Sequence, residues 1–488
     1  LNLEQVGVSD DFFDLGGHSL LATQVISRVQ EMLSVEISVR SIFEHTVLSE
    51  LAEYIKHKQG EESSSVQPLI AVDHSGEWEL SFAQSRLWFL EQLHKLEGVY
   101  TIVSALKFSG PLDLSVLSQV FETIISRHES LRTTFFNNKG VPYQKVNDNI
   151  DYTLKQVDAK SIDWNDQSGV KELVNNEITI PFDLEMGPLF RTTNFSFENN
   201  INLLIISMHH IISDGWSMEI LMKELITLYD AYKHEKESPL SPIPISYIDY
   251  TAWQKKLGPQ LDKQLEYWKH DLAALKDLKL PFDYKRPETQ SFTGGRKKYS
   301  FQKELTLLLK SLSNEQNTTL FMTLLSVFNT LLYHYTGQTD IALGTPIANR
   351  NKKELEQVIG FFANTLVLRS HVKPQQTFVE FLQHVKDKTL QAYENQDVPF
   401  DTLVDEISPD RDISSNPLFQ SVFAVQNLEL HDRKIDDVTI SILDDFDIDK
   451  VRFDLEVHAF DTGEEILFYF IYNSDLFKSS TVDLFATR

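Results

Sequence analysis

Two short stretches of this 488-residue chain carry side chains that can do chemistry. In the first, Ser207-Met208-His209-His210-Ile211-Ile212-Ser213-Asp214-Gly215-Trp216-Ser217-Met218, two imidazoles, a carboxylate and a glycine fall within seven positions. Such a set admits three readings: a metal site, a pair of satisfied structural histidines, or one histidine acting as general base or positioning group. The apolar run before it, with the pair at its end, reads as a buried strand over 201–210. Side chains alternate between the faces of a strand, so His209 and His210 would serve different surfaces. They would then be poor joint ligands, and no further His or Glu cluster follows nearby, so no metal is expected. The other two readings stay open on these residues alone.

The second stretch is Gly16-Gly17-His18-Ser19-Leu20. The glycines give a flexible turn, and Ser19 falls at or just before the first turn of a helix with Leu21, Val25, Val29 and Met32 at helical spacing. A helix N-terminus offers unpaired N–H groups and the positive end of the dipole. Ser19 is therefore either a plain N-cap or a point where an esterified phosphate would be well placed.

Elements must hold these residues. Residues 1–57 read as a small helical bundle, with helices over 20–33 and about 47–57, the second presenting Leu48, Leu51, Ala52 and Ile55. Residues 58–77 turn polar, with Gly60 and three consecutive serines, and read as a linker. Fully extended, it would reach roughly 60 Å. Residues 78–488 alternate strands (100–110, 201–210, 340–348, 361–370, 421–427, 465–473) with helices (113–128, 217–232, 320–335). That pattern predicts a large α/β region of two lobes, with the boundary at about 250–290. The start reads as mid-domain sequence that lacks a first helix, and STVDLFATR at the end as the beginning of a clipped helix.

Composition narrows the classes. Lys and Arg number 45 against 71 Asp and Glu, a net charge of −26. Such a surface repels phosphate backbones, so nucleic acid is not expected as a partner. No cysteine is present, which excludes disulfides and a thiol nucleophile and fits a cytoplasmic protein. No run of about 18 apolar residues predicts a membrane span.

The residues Asp11-Phe12-Phe13-Asp14-Leu15-Gly16-Gly17-His18-Ser19-Leu20 resemble the signature of peptidyl carrier domains. The resemblance implies that Ser19 carries 4′-phosphopantetheine, added by a phosphopantetheinyl transferase. The second motif, HHxxxDG, resembles the central motif of condensation domains of nonribosomal peptide synthetases, within the chloramphenicol acetyltransferase-like superfamily. SFAQSRLWFLEQL (81–93), RHESLRTTF (127–135), YIDYTAWQ (247–254), IGFFANTLVLR (359–369), NQDVPFDTLV (395–404) and RDISSNPLFQ (411–420) follow that family's order. Ala363 and Ser415 are mild departures from its pattern. The implied fold is a small all-α carrier bundle followed by a large α/β condensation domain of two chloramphenicol acetyltransferase-like lobes.

The resemblance implies amide-bond formation between a donor thioester, presented by the carrier, and an aminoacyl thioester on a downstream acceptor carrier. Neighbouring adenylation domains would select the amino acids. His210 would face the tunnel as base or anchor, His209 would be structural, and the N–H of Gly215 could stabilise an oxyanion. Asp214 would pair with Arg350 of GTPIANR (344–350), since a buried carboxylate needs such a partner. Asn364 is a weaker candidate for the tunnel lining. The rivals are an epimerisation domain, an inactive docking module and a coenzyme A-dependent acyltransferase. Trp216-Ser217, Asn416-Pro417-Leu418, the intact motif and the fused carrier weigh against each in turn.

Overall fold

The computed structural model describes residues 5–17, 19–35, 37–59, 68–94, 98–149, 151–408, 414–427, 432–443 and 450–488. The first block holds three helices, Ser19–Leu33, Val39–Glu44 and Leu48–Lys58. Their core is Ala22, Val35, Ile37, Ile42, Leu51 and Ile55. The short middle helix escapes the sequence reading because six residues span too few turns to show a period. Met32, Leu48 and Ala52, placed on apolar faces from sequence, are exposed instead. So small a bundle has room inside for only part of each stripe. The turn ahead of the first helix folds back on itself: the Gly17 N–H donates to the Phe12 carbonyl at 2.8 Å. A Cβ on Gly17 would fall 2.4 Å from that oxygen, so glycine is required there.

Two six-stranded sheets, with a small three-stranded one (Trp78–Glu79, Val141–Val146, Thr133–Asn138), form the larger region. The first runs Arg433–Ile435, Val438–Leu443, Thr101–Ser109, Ile201–His209, Phe190–Ser196, Lys155–Asp158. The helices Leu114–Arg127 and Gly215–Lys233 cover one face of it, burying Leu117, Val120, Phe121, Ile124, Leu221, Leu225 and Leu228 with Leu204, Ile206 and Met208 of the central strand. The second sheet runs Asn364–His371, Asp340–Ile347, Ser421–Asn427, Leu455–Asp461, Ile466–Asn473, Gly294–Phe301. It packs on the helices Gly258–Asp271, Leu320–Thr336 and Phe378–Glu394 through Trp268, Leu324, Leu325, Phe328, Phe381 and Val385. Each sheet with its helices is one lobe, a two-layer unit around its own core.

The lobes are stitched together. The hairpin Arg433–Leu443 lies in the chain between two strands of the second sheet, yet it pairs with Thr101–Ser109 of the first. The helix Tyr247–Gln254 sits in a cluster with Leu355, Val358 and Phe362.

The small bundle also packs against the second lobe. Val39 and Phe43 of its middle helix join Met322, Leu382 and Leu390 in one apolar cluster. Around that cluster Arg28 pairs with Glu356 at 2.9 Å and Glu31 with Lys353 at 2.8 Å. Asp14 accepts a hydrogen bond from the Asn314 amide at 2.9 Å.

Candidate active site at the junction of the lobes

The central strand stops at His209. Its Nδ1 accepts the Ile211 N–H at 3.1 Å, capping a 3₁₀ turn over His210–Ile212. With Nδ1 as acceptor, Nε2 carries the proton and faces Glu91 Oε1 at 3.3 Å. The Phe182 ring packs edge-on against this imidazole at 6.1 Å. His209 is buried and fully engaged.

His210 belongs to the turn, not the strand, so the expected alternation across a continuous strand does not set its direction. Its N–H donates to the Tyr100 carbonyl at 2.8 Å. The ring meets Phe361 of the second lobe edge-on, with centroids 4.8 Å apart. Its Nδ1 is buried and has no hydrogen-bond partner. Burial, with the nearby Arg452 charge adding to it and Asp214 opposing, lowers its pKa to about 4. The imidazole is therefore neutral at ordinary pH.

Asp214 caps the Gly215–Lys233 helix and joins the two lobes in one carboxylate. Its Oδ1 accepts from the Ser217 N–H (2.8 Å), the Ser217 hydroxyl (2.7 Å) and Arg350 Nη2 (3.0 Å). Its Oδ2 accepts from the N–H groups of Phe362 (3.0 Å) and Ala363 (3.2 Å). The side chains of Asp214 and Arg350 are 2% and 1% exposed. Arg350 Nη1 donates to the carbonyls of Leu355 and Val358, both at 2.6 Å, and the guanidinium lies over the Phe362 ring at 4.1 Å. A charge pair this dry holds only because its hydrogen-bonding groups are so thoroughly used.

Gly215 opens the helix and is exposed. A Cβ there would meet nothing within 4 Å, so the space beside this helix start is open, with no protein group crowding it.

Asn364, the weaker candidate for the lining, is engaged elsewhere. It is buried, and its amide is spent on backbone: Nδ2 donates to Gln396 and Val398, and Oδ1 accepts from the Phe400 N–H. It holds the 395–400 segment in place. Ser19 is the first residue of its helix, in keeping with the sequence reading; its side chain and His18 lie outside the described residues.

Sequence reasoning gave no role to three residues. Ser217 accepts from the Gly360 N–H at 3.1 Å and from Arg350 Nη2 at 2.8 Å. Trp216 Nε1 donates to the Glu356 carbonyl at 3.1 Å. Tyr247 donates its hydroxyl proton to the Phe361 carbonyl, behind the ring that meets His210. All three act on backbone more than a hundred positions away, and no local pattern in the sequence points that far.

Residues 74–488 match the family model described as condensation domain, and residues 1–55 the one described as phosphopantetheine attachment site. The chain is 40% identical to one component of the linear gramicidin synthase of Brevibacillus parabrevis, an alignment covering 99% of this chain and 6% of that protein. It is 38% identical to bacitracin synthase 2 of Bacillus licheniformis, over 100% of this chain and 18% of that one. The chain thus spans less than a fifth of the length of these relatives. The crystal structure of the X-domain from teicoplanin biosynthesis superposes with a TM-score of 0.78 at 23% identity, covering 86% of this chain and 95% of that one. Holo-AB3403, a four-domain nonribosomal peptide synthetase bound to AMP and glycine, gives 0.75 at 23%, covering 87% and 33%. At such identities the likeness shows the fold alone.

Proposed function

Since this chain belongs to the condensation-domain family and carries a phosphopantetheine attachment domain ahead of the condensation domain, we propose that it forms amide bonds, as an acyltransferase, between a donor held by its own carrier and an amine brought by a separate acceptor carrier. The proposed units are a carrier over 1–57, a connecting segment over 58–77 and a condensation domain from 78 onward. Neighbouring adenylation domains and a phosphopantetheinyl transferase would be its other partners.

Ser19 is the attachment residue in this reading. It opens a fifteen-residue helix whose first N–H groups favour a phosphate, and the tight turn at Gly17 precedes it. The bound group supplies a thiol that holds the acyl chain as an activated thioester. The protein's own residues do the rest. Held neutral, His210 can accept the proton that the amine sheds as it attacks, or can fix that amine by a hydrogen bond. Gly215 leaves open space at a helix N-terminus, where an N–H and the dipole would stabilise negative charge developing on the acyl oxygen. Asp214 and Arg350 are positioning residues that fix this helix start against the second lobe.

The observation that carries the reading is a neutral, half-buried imidazole whose Nδ1 has no hydrogen-bond partner, five residues before an uncrowded helix start. A buried polar atom without a partner calls for an explanation, and a substrate group that it would contact supplies one.

The test is to load Ser19 with an aminoacyl-pantetheine, add an aminoacylated acceptor carrier and follow both by intact-protein mass spectrometry. The donor mass should move to the acceptor, and His210→Ala should slow this by about 100-fold or more. Loading without transfer to any acceptor would sink the condensation reading and leave the carrier.

A further inference from the structure

The segment joining carrier to condensation domain is polar at its start, yet from Pro68 it lies against the larger domain. Leu69 is buried among Ile245, Tyr247, Tyr250, Leu355, Val358 and Phe362. The Val72 N–H donates to Asp249 Oδ1 at 2.6 Å. His74 then bridges two carboxylates: Nε2 hydrogen-bonds Asp249 Oδ1 at 2.9 Å, and Nδ1 hydrogen-bonds Glu129 Oε1 at 3.1 Å. Asp249 is wholly buried in the helix Tyr247–Gln254, where its Oδ2 accepts the Ser246 N–H at 2.7 Å. Glu129 opens the 3₁₀ turn Glu129–Arg132. That turn reaches the second lobe through the Ser130 hydroxyl, which donates to the Ile359 carbonyl at 2.6 Å.

This geometry specifies a protonation state. A neutral imidazole has one N–H, so it can donate to only one of two flanking carboxylates and must turn a lone pair on the other. Only the imidazolium donates to both. The remaining groups nearby do not change this. Ser246 Oγ lies 3.3 Å from Nε2. Arg127 and His128 line the same small cavity, but both are directed at Glu224. Asp73, on the segment itself, accepts from the Ser75 N–H.

We propose that residues 68–74 form a strap fastened by a proton on His74, so that the carrier's tether is only the chain between Gln59 and Pro68 while the strap is closed, and lengthens when His74 is neutral. Closed, that stretch can span at most roughly 30 Å. Open, it gains the strap as well. Partial burial disfavours the charge on His74, but the hydrogen bonds to Asp249 and Glu129 outweigh it and raise the pKa above the ordinary 6.5. The sign follows: a raised folded-state pKa gives a contribution fully present below about pH 6.5 and lost as pH climbs through the raised value. The strap is closed in mildly acidic solution and opens as pH rises through that raised value.

Amide exchange of the full chain, read by mass spectrometry on the peptide covering 68–76, tests this without requiring transfer activity. After correction for base catalysis, protection should fall at least tenfold between pH 6 and pH 9. In His74→Gln it should be low and independent of pH. In Glu129→Gln the midpoint should move to lower pH, which an inert structural contact would not cause. Equal protection at both pH values in the parent chain, an unmoved midpoint in Glu129→Gln, or parent-like protection in His74→Gln at pH 6 would each overturn the proposal.

Discussion

The carboxylate of Asp214 gathers groups from three places, the start of its own helix, Arg350, and the Phe362–Ala363 backbone. Asp214→Asn leaves Arg350 charged in a dry site, and breaking such a pair costs about 3–5 kcal/mol. Urea denaturation should show that loss; a change under about 1 kcal/mol would mean the pair is not what holds the lobes. The depressed pKa of His210 makes a second prediction. Its imidazole stays neutral down to about pH 4, so the acid limb of single-turnover transfer should lie near 4 rather than near 6.5. The unfolded chain protonates this histidine at ordinary pH values while the native one resists. Its contribution to stability therefore falls as pH drops from 6.5 towards 4. The Asp214–Arg350 contact was legible through the family resemblance, and a buried carboxylate's need for a cation agrees with it. Ser217 was not legible, since a hydroxyl that serves the backbone of Gly360 leaves no mark in spacing.

At the scale of elements, the turn at His210–Ile212 decides the site. Alternation along a strand was a sound premise, but the His209 side chain ends the strand by capping the turn, and one residue of difference re-aims the second imidazole. Local side-chain capping of this kind competes with regular structure and is hard to foresee. Two glycines separate packing from chemistry. Gly360→Ala would put a Cβ 2.1 Å from the Tyr247 ring, behind Phe361, and should destabilise by about 1–3 kcal/mol, seen as a lowered thermal midpoint. Gly215→Ala meets no neighbour, so stability should change by no more than about 1 kcal/mol. Its transfer rate should nevertheless fall, because the added methyl fills the space proposed for the reacting groups. An unchanged rate would remove Gly215 from the site.

Across the whole molecule, the carrier is seated by a few apolar side chains with exposed ion pairs around them. Exposed pairs such as Arg28–Glu356 contribute about 0–1 kcal/mol each, so the seat rests mainly on Val39 and Phe43. Phe43→Ala should weaken it by about 3 kcal/mol, visible as a larger radius of gyration in solution scattering, whereas salt at about 1 M alone should expand the chain much less. If Phe43→Ala leaves the radius unchanged, the seat is held by something else. The two-lobed α/β plan and most of its central strands could be read from apolar periodicity. The hairpin Arg433–Leu443 could not, although Val438 and Ile440 alternate with Thr439 and Ser441. Its partner strand lies more than three hundred positions upstream, and periodicity says nothing of which sheet a strand will join.

That hairpin also sets an order of events during biosynthesis. The strand Thr101–Ser109 leaves the ribosome long before its outer neighbour, which is complete only once residue 443 has been made. At about 5–20 residues per second, the delay after residue 209 is roughly ten to fifty seconds. For that time the first lobe has an unpaired strand edge, the kind that recruits other chains. Within this stretch, the nascent chain is therefore most exposed to aggregation between the synthesis of its first lobe and that of the hairpin, and a chaperone that shields strand edges would be needed in that interval.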